Sequence, residues 1–394
     1  MSTRRTQVAI IGAGPAGLML SHLLHLHGIE SVVLEVRDRA YVEHRVRAGV
    51  LEQGTVDLLQ DSGIGERLLR EGQPHEAINL QFQGERHRLA MTELTGRRIT
   101  VYGQQEVVKD LIAQRLADDG LIVFEADGLT VDGVDGDDPV VRYRVDGVQH
   151  ELHADFVAGC DGSYGVSKDA VPDGVLTTYE RTYPFAWLGI LAQAAPAVHE
   201  LIYARHENGF ALYSLRSPQV SRLYLQVAPD EDLAQWPDER VWAELHTRLE
   251  LDGDPVRVTE GPVLEKGITP MRSLVVEPMQ HRRLFLAGDA VHIVPPTGAK
   301  GMNLAIADAR LLGRAFDAWY ARSDRELLDA YTATALRRVW RAQHFSWWMT
   351  SMLHRFDGHD PYEEQLALSQ LRYATTSQAY ARSLAENYVG LLDV

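Results

Sequence analysis

The stretch Thr6-Gln-Val-Ala-Ile-Ile-Gly-Ala-Gly-Pro-Ala-Gly17 decides the fold. Its first half is a β-branched apolar run typical of a buried strand, and the apolar-periodic segment from Leu18 to Leu26 after it predicts a helix. Gly12 permits a tight turn, Gly14 lets a pyrophosphate approach the backbone, and Gly17 lets the helix pack closely on the strand. The stretch therefore predicts a strand, a glycine turn and a helix that bind a dinucleotide.

A second predicted strand, Ile29 to Leu34, follows this helix and ends at Glu35. An acid about 20 residues beyond the glycines is placed to bind a ribose hydroxyl. The unit is a dinucleotide-binding βαβ, with Ala16 at the turn where the helix N-terminus offers N–H groups to phosphate. The pattern alone does not distinguish NAD from FAD.

The composition sets limits on the rest of the chain. Its 394 residues and 45% hydrophobic content allow two or three domains with buried cores. A net charge of −16 disfavours nucleic acid and anionic membrane, and no apolar run is long enough to span a bilayer. The single cysteine, Cys160, suits a reducing compartment and is best explained as a small buried residue. We predict a soluble cytoplasmic enzyme with a small-molecule substrate, without nucleic-acid or membrane partners and without a metal site.

Two later motifs narrow the dinucleotide. Phe156-Val-Ala-Gly-Cys-Asp-Gly162 is a strand ending in Asp-Gly, and Arg283-Leu-Phe-Leu-Ala-Gly-Asp-Ala290 is a strand ending in Gly-Asp. With the N-terminal glycines, they resemble the three signatures of the group A flavoprotein aromatic hydroxylases, in order and in spacing. The resemblance implies that the dinucleotide is FAD.

Further segments along the whole chain resemble the branch of this family that hydroxylates 4-hydroxybenzoate. They are Arg47–Gly54, His199–Tyr203, Val276–His281, Ile293–Lys300 and Glu386–Gly390. The resemblance implies that NADH or NADPH reduces FAD, that O2 forms a flavin C4a-hydroperoxide, and that the substrate phenolate attacks it to give 3,4-dihydroxybenzoate and water.

The implied fold is α/β, or α+β with two domains: a doubly wound Rossmann-like FAD-binding domain, an inserted β-sheet substrate domain and a helical C-terminal part. We assign 1–74, 101–178 and 268–345 to the FAD-binding domain, 75–100 and 179–267 to the substrate domain, and 346–394 to a C-terminal helical region. The aromatic cluster at 345–356 is either core or a homodimer interface, and the resemblance implies a homodimer.

Residues for the substrate follow from the strand pattern and from the resemblance. Ser214 and Arg216 lie two apart on a predicted strand, so both can grip a carboxylate from one face. The resemblance implies further contacts from Leu215, Tyr224 and Thr297. It also implies a catalytic set that ionises the substrate phenol, in which protons pass between tyrosines to a histidine that titrates near neutral pH, and the free carbonyl of a proline accepts from the phenol: Tyr203, Tyr388, His75 and Pro296.

The remaining implied contacts are with the two nucleotides. From Thr297 the chain predicts a long helix whose positive N-terminus would stabilise the reduced flavin. The implied FAD contacts are Gly12, Gly14, Ala16, Gly17, Glu35, Arg45, Arg47, Gln104, Asp161, Arg222, Asp289, Lys300, Gly301, Met302 and Asn303. The candidate contacts for NADH or NADPH are Arg37, Tyr41, Arg45, Tyr164, Lys168 and Arg272.

NADH is favoured as the reductant, because Val36, Tyr164 and Lys168 replace basic or imidazole side chains that are frequent in relatives using NADPH, although Arg37 and Arg39 could compensate. Three other functions stay open. These are a flavin hydroxylase for another phenolic or aminobenzoic acid, a nicotinamide dehydrogenase, and a flavin-binding protein without catalysis.

Overall fold

The computed structural model describes residues 2–45, 49–356 and 360–390. The strands are β1 Ser2–Ile11, β2 Ser31–Leu34, β3 Val50–Leu51, β4 Gln73–His75, β5 Ile78–Phe82, β6 Glu85–Leu89, β7 Ile99–Val101, β8 Leu121–Val123, β9 Asp127–Asp132, β10 Val140–Val145, β11 Val148–Gly159, β12 Thr177–Ala192, β13 Leu201–His206, β14 Gly209–Ser217, β15 Val220–Val227, β16 Val263–Glu277, β17 Gln280–His281, β18 Leu284–Leu286 and β19 His292–Ile293. The helices are α1 Pro15–Leu26, α2 Arg39–His44, α3 Gln53–Asp61, α4 Glu66–Glu71, α5 Met91–Thr95, α6 Gln104–Ala117, α7 Asp238–Leu249, α8 Gly301–Arg322, α9 Glu326–Asp329, α10 Tyr331–Leu353, α11 Pro361–Thr376 and α12 Gln378–Val389.

The first sheet has the order β17-β18-β11-β1-β2-β8, and β9 and β10 extend it beside β11. Its central strands β18, β11, β1, β2 and β8 run parallel. Helix α1 packs against both α6 and α8 beside it, and parallel strands with covering helices are the expected form of a nucleotide-binding α/β unit. The mixed α/β class expected from the sequence is confirmed.

The glycines of the first turn have different packing roles. Gly12 has φ +102°, and a Cβ on it would lie 2.4 Å from the Cys160 carbonyl oxygen. A Cβ on Gly17 would lie 2.1 Å from the Gly12 carbonyl oxygen, whereas a Cβ on Gly14 would meet no atom within 4 Å. Gly12 and Gly17 therefore close the β1–α1 turn on the end of β11, and Gly14 leaves open space above it.

The second sheet has the order β19-β16-β12-β15-β14-β13-β5-β6, and its two faces differ. Ala204, Tyr213 and Leu225 lie on one face and pack in a core with α7. Leu212 and Tyr203 lie on the other face, in a core shared with the C-terminal helices. Strands with apolar side chains on both faces are buried between two layers, as β13 to β15 are here.

The domain boundaries predicted from the sequence fall within continuous strands. β12 runs through positions 178 and 179, and β16 runs through positions 267 and 268. These two long strands pair antiparallel over most of their length and connect the two large sheets. The division into separate domains stays a prediction.

The glycine-rich helix begins later than the sequence indicated. Pro296–Gly298 form a 3-10 turn, Ala299 has φ +54°, and α8 begins at Gly301 rather than at Thr297. A proline and a left-handed residue cannot continue an α-helix, so this turn is a separate loop before it. Within the described residues, no helix has the length and apolarity needed to cross a membrane.

Gly12 and Gly14 provide a matched test of the turn. Gly12→Ala should lower the free energy of unfolding by roughly 2 kcal/mol or more, because the methyl group meets backbone at a left-handed φ. Gly14→Ala should unfold within about 0.5 kcal/mol of the parent apoprotein but lose FAD more readily, because its methyl group fills only the open space. Urea unfolding and flavin absorbance after gel filtration measure both effects. Equal stability loss in the two variants would contradict this assignment.

Candidate active site

A cavity lies over the face of the second sheet that looks toward the C-terminal helices. Strands β12 to β15, the β3 segment, β7 and the Pro296 turn contribute its walls. Its lining comprises Gly49, Val50, Val101, Trp187, Leu201, Tyr203, Leu212, Ser214, Leu215, Arg216, Arg222, Tyr224, Pro296 and Ala299. Five of the substrate-binding residues expected from the sequence lie here together with Pro296; Thr297 is the next residue in the turn.

Strand register explains how these side chains converge. Leu212 on β14 pairs with Tyr203 on β13 and with Tyr224 on β15, so the three share one face of the sheet. Ser214 pairs with Arg222 one step further along, and Arg216 follows two residues later. Because side chains of alternate residues share a face, Ser214 points to the same side as Tyr203. The pairing of β14 with β15 shifts between Leu215 and Ser217, and Arg216, at this irregularity, also lines the cavity. The two ends of the array therefore carry different chemistry, phenol at one and guanidinium at the other.

The guanidinium end can bind a carboxylate. Arg216 is half-buried and donates to the side-chain oxygen of Gln105, and burial lowers the pKa of Arg216 to about 10, which leaves it charged at neutral pH. Arg222 Nε donates to Tyr224 Oη at 3.2 Å, while its buried Nη1 has no hydrogen-bond partner in the part of the chain that the structure describes. Charged donors of this kind bind an anionic group strongly when it is shielded from water.

Two tyrosines form the phenol end. Tyr203 Oη and Tyr388 Oη are 2.5 Å apart, and each residue is 1% exposed. Burial, the first cause, raises the pKa of both hydroxyl groups above the usual tyrosine value. Both stay protonated at neutral pH, so each can donate one hydrogen bond and accept another. This is the arrangement needed to pass a proton between neighbours without forming a tyrosinate.

The Pro296 turn forms one wall of the cavity. The family resemblance implies that the flavin would bind on this side. The Pro296 carbonyl accepts from Ala299 N at 2.9 Å, so it is not free as the sequence suggested, although its second lone pair remains. Thr297 is fully buried, and its Oγ1 accepts from Thr350 Oγ1 at 2.9 Å. Thr297 is thus tied to α10, and Pro296 lines the cavity.

His75 differs from the expectation that it titrates near neutral pH. It ends β4 in a small sheet ordered β3-β7-β4 and is 2% exposed, and among the described residues neither ring nitrogen has a hydrogen-bond partner. Burial lowers the pKa of His75 to about 4. The imidazole is therefore neutral at pH 7, and its place at the outer end of the relay stays a prediction.

The N-terminal turn fits a dinucleotide. Glu35 Oε2 accepts from Ala13 N at 2.8 Å and its Oε1 accepts from Arg37 N at 2.9 Å, so the carboxylate orders the loop above the open space at Gly14. Asp161 accepts from the amide and hydroxyl of Ser167, both at 2.9 Å, and burial raises the pKa of Asp161. Asp161 is therefore committed to its own loop, next to the closed β1–α1 turn.

Asp289 is exposed at the end of β18, where a ribityl chain would need an acceptor. The turn that carries it is held by a residue that sequence reasoning missed. Asp308 on α8 accepts from Gly288 N at 2.9 Å and from His292 Nε2 at 2.6 Å, and both side chains are buried. The spacing of Asp308 within α8 gave no signal of this contact before the fold was known.

The start of α8 fits the negative end of a reduced flavin. Its N-cap, Lys300, provides no side-chain cap, and a Cβ on Gly301 would meet nothing within 4 Å. First-turn N–H groups without a cap are donors for an anion. Met302 is buried, whereas the Asn303 amide is committed elsewhere: its oxygen accepts from Glu52 N and Thr55 Oγ1, and its nitrogen donates to two backbone carbonyls. Asn303 therefore supports the helix start through its neighbours.

Charged and aromatic residues expected to bind the nicotinamide nucleotide form two groups. Arg37 and Arg45 lie 5.1 and 6.0 Å from the exposed ring of Tyr41. Arg272 lies 5.3 Å from the ring of Tyr164, which is 91% exposed. Lys168 stands apart from both groups, because its ammonium donates to the carbonyls of Ser163 and Ala290. Of the expected FAD contacts, Arg47 lies outside the described residues, and Gln104 begins α6.

Comparisons with known proteins show the family to which the chain belongs. Residues 5–346 match the family described as FAD binding domain. The chain is 44% identical over 392 residues to p-hydroxybenzoate hydroxylase of Acinetobacter baylyi, covering 99% of this chain and 96% of the relative. This chain belongs to the FAD-binding aromatic hydroxylase family.

It is also 29% identical to a probable NADH-specific resorcinol 4-hydroxylase of Rhodococcus jostii, over 84% of this chain and 62% of the relative. A crystal structure of p-nitrophenol 4-monooxygenase from Pseudomonas putida has the same fold, with TM-score 0.83 at 18% identity and full coverage of both chains.

The buried state of His75 predicts a pH-dependent stability. Its folded pKa of about 4 lies below the ordinary value of 6.5, so the unfolded chain takes up the proton first as pH falls. The stability due to neutral burial is complete above pH 6.5 and should decline by about 3 kcal/mol as pH falls to 4. In His75→Gln this dependence is absent, so the difference in unfolding free energy between parent and variant should change by that amount. A difference that stays constant from pH 7 to pH 4 would contradict the burial of this imidazole.

Proposed function

We propose that this protein is an FAD-dependent 4-hydroxybenzoate 3-monooxygenase. It would convert 4-hydroxybenzoate, NAD(P)H, a proton and O2 into 3,4-dihydroxybenzoate, NAD(P)+ and water. The observation that carries the proposal is one cavity with the Tyr203–Tyr388 pair at one end of a strand array and Arg216, Ser214 and Tyr224 further along it. A substrate with a phenol and a carboxylate on opposite sides of one ring matches both ends.

The carboxylate would bind to the guanidinium end. Arg216 and Arg222 supply charge, and the hydroxyl groups of Ser214 and Tyr224 supply neutral donors on the same sheet face. Exchange of the Arg216–Gln105 contact for a carboxylate replaces a neutral acceptor by a charged one. This end therefore fixes the ring orientation and selects a benzoate over an uncharged phenol.

The phenol would bind to Tyr203, which passes its proton to Tyr388. The substrate hydroxyl would give its proton to Tyr203 Oη as Tyr203 gives its own to Tyr388 and Tyr388 gives its own to the outer end of the relay, where His75 is expected, and from there to water. The substrate then becomes a phenolate while both tyrosines stay neutral. The negative charge raises electron density at the ring carbon beside the phenol oxygen. FAD, when bound, supplies reducing power from NAD(P)H and activated oxygen for this carbon.

Three finer points belong to the same proposal. NADH is the preferred reductant, because Val36 and Tyr164 lack the charge that would bind a 2'-phosphate. The protein acts in the cytoplasm, as its single cysteine suits, and forms a homodimer. Exposed aromatic side chains on α10, Trp340 and Trp347, are available for such an interface.

The deciding experiment follows NADH and NADPH oxidation by the purified FAD-loaded protein, with and without 4-hydroxybenzoate, and quantifies 3,4-dihydroxybenzoate. We expect strong stimulation, nearly one product per nucleotide oxidised, and faster turnover with NADH. Stimulation without product would make 4-hydroxybenzoate an effector and overturn the proposed reaction. Absence of stimulation with both nucleotides would assign the cavity to another aromatic acid.

Tyr203→Phe tests the proton pathway. The variant should bind FAD normally and 4-hydroxybenzoate within about tenfold of the parent, yet hydroxylate it roughly 100-fold more slowly, because the phenol loses its proton acceptor. Rapid-mixing product analysis measures this step. Parent-like product formation would remove Tyr203 from the pathway.

Arg216→Gln tests the carboxylate end. Loss of a charged hydrogen bond of about 1.5–3 kcal/mol should weaken substrate binding roughly 10- to 100-fold. Arg88→Gln is the matched control. Arg88 lies on the edge strand β6, is partly exposed, and forms an ion pair with Glu200. Titration of both variants with 4-hydroxybenzoate separates the roles. Similar affinities in the two variants would contradict the assignment of Arg216.

A further inference from the structure

A buried histidine that the site above does not use lies behind the cavity. His354 is the C-cap of α10 and is 1% exposed. Its ring lies 4.4 Å from the ring of Phe185 and 4.3 Å from that of Phe210, centroid to centroid. An imidazole buried among aromatic rings must satisfy both nitrogens or be destabilising.

The two ring nitrogens of His354 have distinct partners. His354 Nε2 lies 2.7 Å from Trp187 Nε1, and its Nδ1 lies 3.1 Å from the Thr350 carbonyl oxygen. An indole nitrogen only donates, so Nε2 must accept, and Nδ1 then carries the proton and donates to Thr350. Burial lowers the pKa of His354 to about 3, in keeping with this neutral tautomer. One protonation state therefore fixes both bonds.

Trp187 connects this histidine to the cavity. Its indole lines the cavity, stacks on Phe210 at 5.2 Å and lies 4.9 Å from the ring of Tyr224. Without His354, the buried indole N–H would have no acceptor among the described contacts of Trp187. An unpaired buried donor is costly, so the ring would move to find another partner.

The same face of α10 also holds the Pro296 turn. Ser346, Thr350 and His354 are spaced four residues apart, so they lie on one face of the helix. Thr350 Oγ1 donates to Thr297 Oγ1, and a Cβ on Gly298 would lie 2.5 Å from Ser346 Oγ. The same face of α10 therefore contacts the Pro296 turn and carries His354, which fixes the indole.

We propose that His354 is a positioning residue that sets the Trp187 wall of the substrate cavity, while Thr350 sets the facing Pro296 turn. The proposal deepens the proposed function and rests on it for the identity of the ring that the wall contacts. Trp187, His354, Thr350 and Thr297 are joined by buried hydrogen bonds. These bonds therefore set the distance between the Trp187 wall and the Pro296 turn, and with it the width available to an aromatic ring. The wall selects among substituted rings and holds the reacting ring in register.

Binding selectivity tests the proposal in the FAD-loaded protein. His354→Phe keeps an aromatic ring but removes both hydrogen bonds; His354→Gln restores an acceptor for Trp187. His22→Phe is the matched control, because His22 is 2% exposed, its Nε2 donates to the Ser62 carbonyl oxygen at 2.8 Å, and it lies in α1 outside the cavity lining. The measurement is the ratio of Kd values for 4-hydroxybenzoate and its 3-methyl analogue.

We expect His354→Phe to change this ratio by about fivefold or more and to slow hydroxylation of 4-hydroxybenzoate by roughly 10- to 100-fold, the scale of a misplacement of about 1 Å. His354→Gln should recover part of both values, and His22→Phe should leave the ratio unchanged even if it unfolds more easily. A general loss of stability would not alter the ratio. An unchanged ratio in His354→Phe would overturn the proposal.

Crystal structures of the parent and His354→Phe separate this proposal from the proposed function. The Trp187 indole should differ in position by about 1 Å or more, whatever substrate the enzyme uses. If the parent fails to bind 4-hydroxybenzoate but the indole moves, the proposed substrate is wrong and the positioning role stands. If the parent is active and the indole does not move, the positioning role is wrong.

Discussion

The buried ion pair between Lys300 and Glu52 is the contact on which the site depends. Lys300 Nζ donates to Glu52 Oε1 at 2.6 Å and to the Tyr388 carbonyl at 3.0 Å, and Arg338 donates to the other oxygen of Glu52 at 2.9 Å. Lys300 is the N-cap of α8, Glu52 precedes α3, Tyr388 lies in the last turn of α12, and Arg338 lies in α10. One junction therefore connects the start of α8, the segment that follows β3 and the helix that supplies the second tyrosine.

The buried charges of this junction are stabilised only while all of their partners are present. Two fully buried charges cost several kcal/mol each to desolvate, and loss of one partner would leave the other unpaired. Burial lowers the pKa of Lys300, and the Glu52 carboxylate opposes this shift. Glu52 is thus shared by two basic side chains, Lys300 through one carboxylate oxygen and Arg338 through the other.

Sequence reasoning recovered the parts of the fold that local chemistry decides. The glycine turn follows from backbone sterics, and the position of Ser214 follows from the two-residue period of a strand. Arg216 also lines the cavity, but the register of β14 shifts at that point, so the period alone does not place it. The start of α8 was missed, because the left-handed Ala299 is not a glycine and only tertiary packing holds it in that conformation. The neutral state of His75 was missed, because its burial depends on a small sheet assembled from distant segments.

The residues that the sequence did not identify are those that act through others. Asp308, Glu52, Gln105 and His354 contact partners far away in the chain, and no local pattern marks them. Asp308, Glu52 and His354 are buried and Gln105 is partly buried, but burial alone does not mark such a role. Their role becomes visible only when both ends of each hydrogen bond are known.

The central claim is that this cavity binds 4-hydroxybenzoate and promotes ionisation of its phenol through Tyr203 and Tyr388. The most direct measurement is the pH dependence of the ultraviolet difference spectrum of bound 4-hydroxybenzoate, in the parent and in Tyr388→Phe. The account predicts that the bound phenol ionises at a lower pH than the free compound in the parent, and that the variant loses most of this shift. A bound phenol that ionises at the pH of the free compound, or a variant with an unchanged shift, would contradict it.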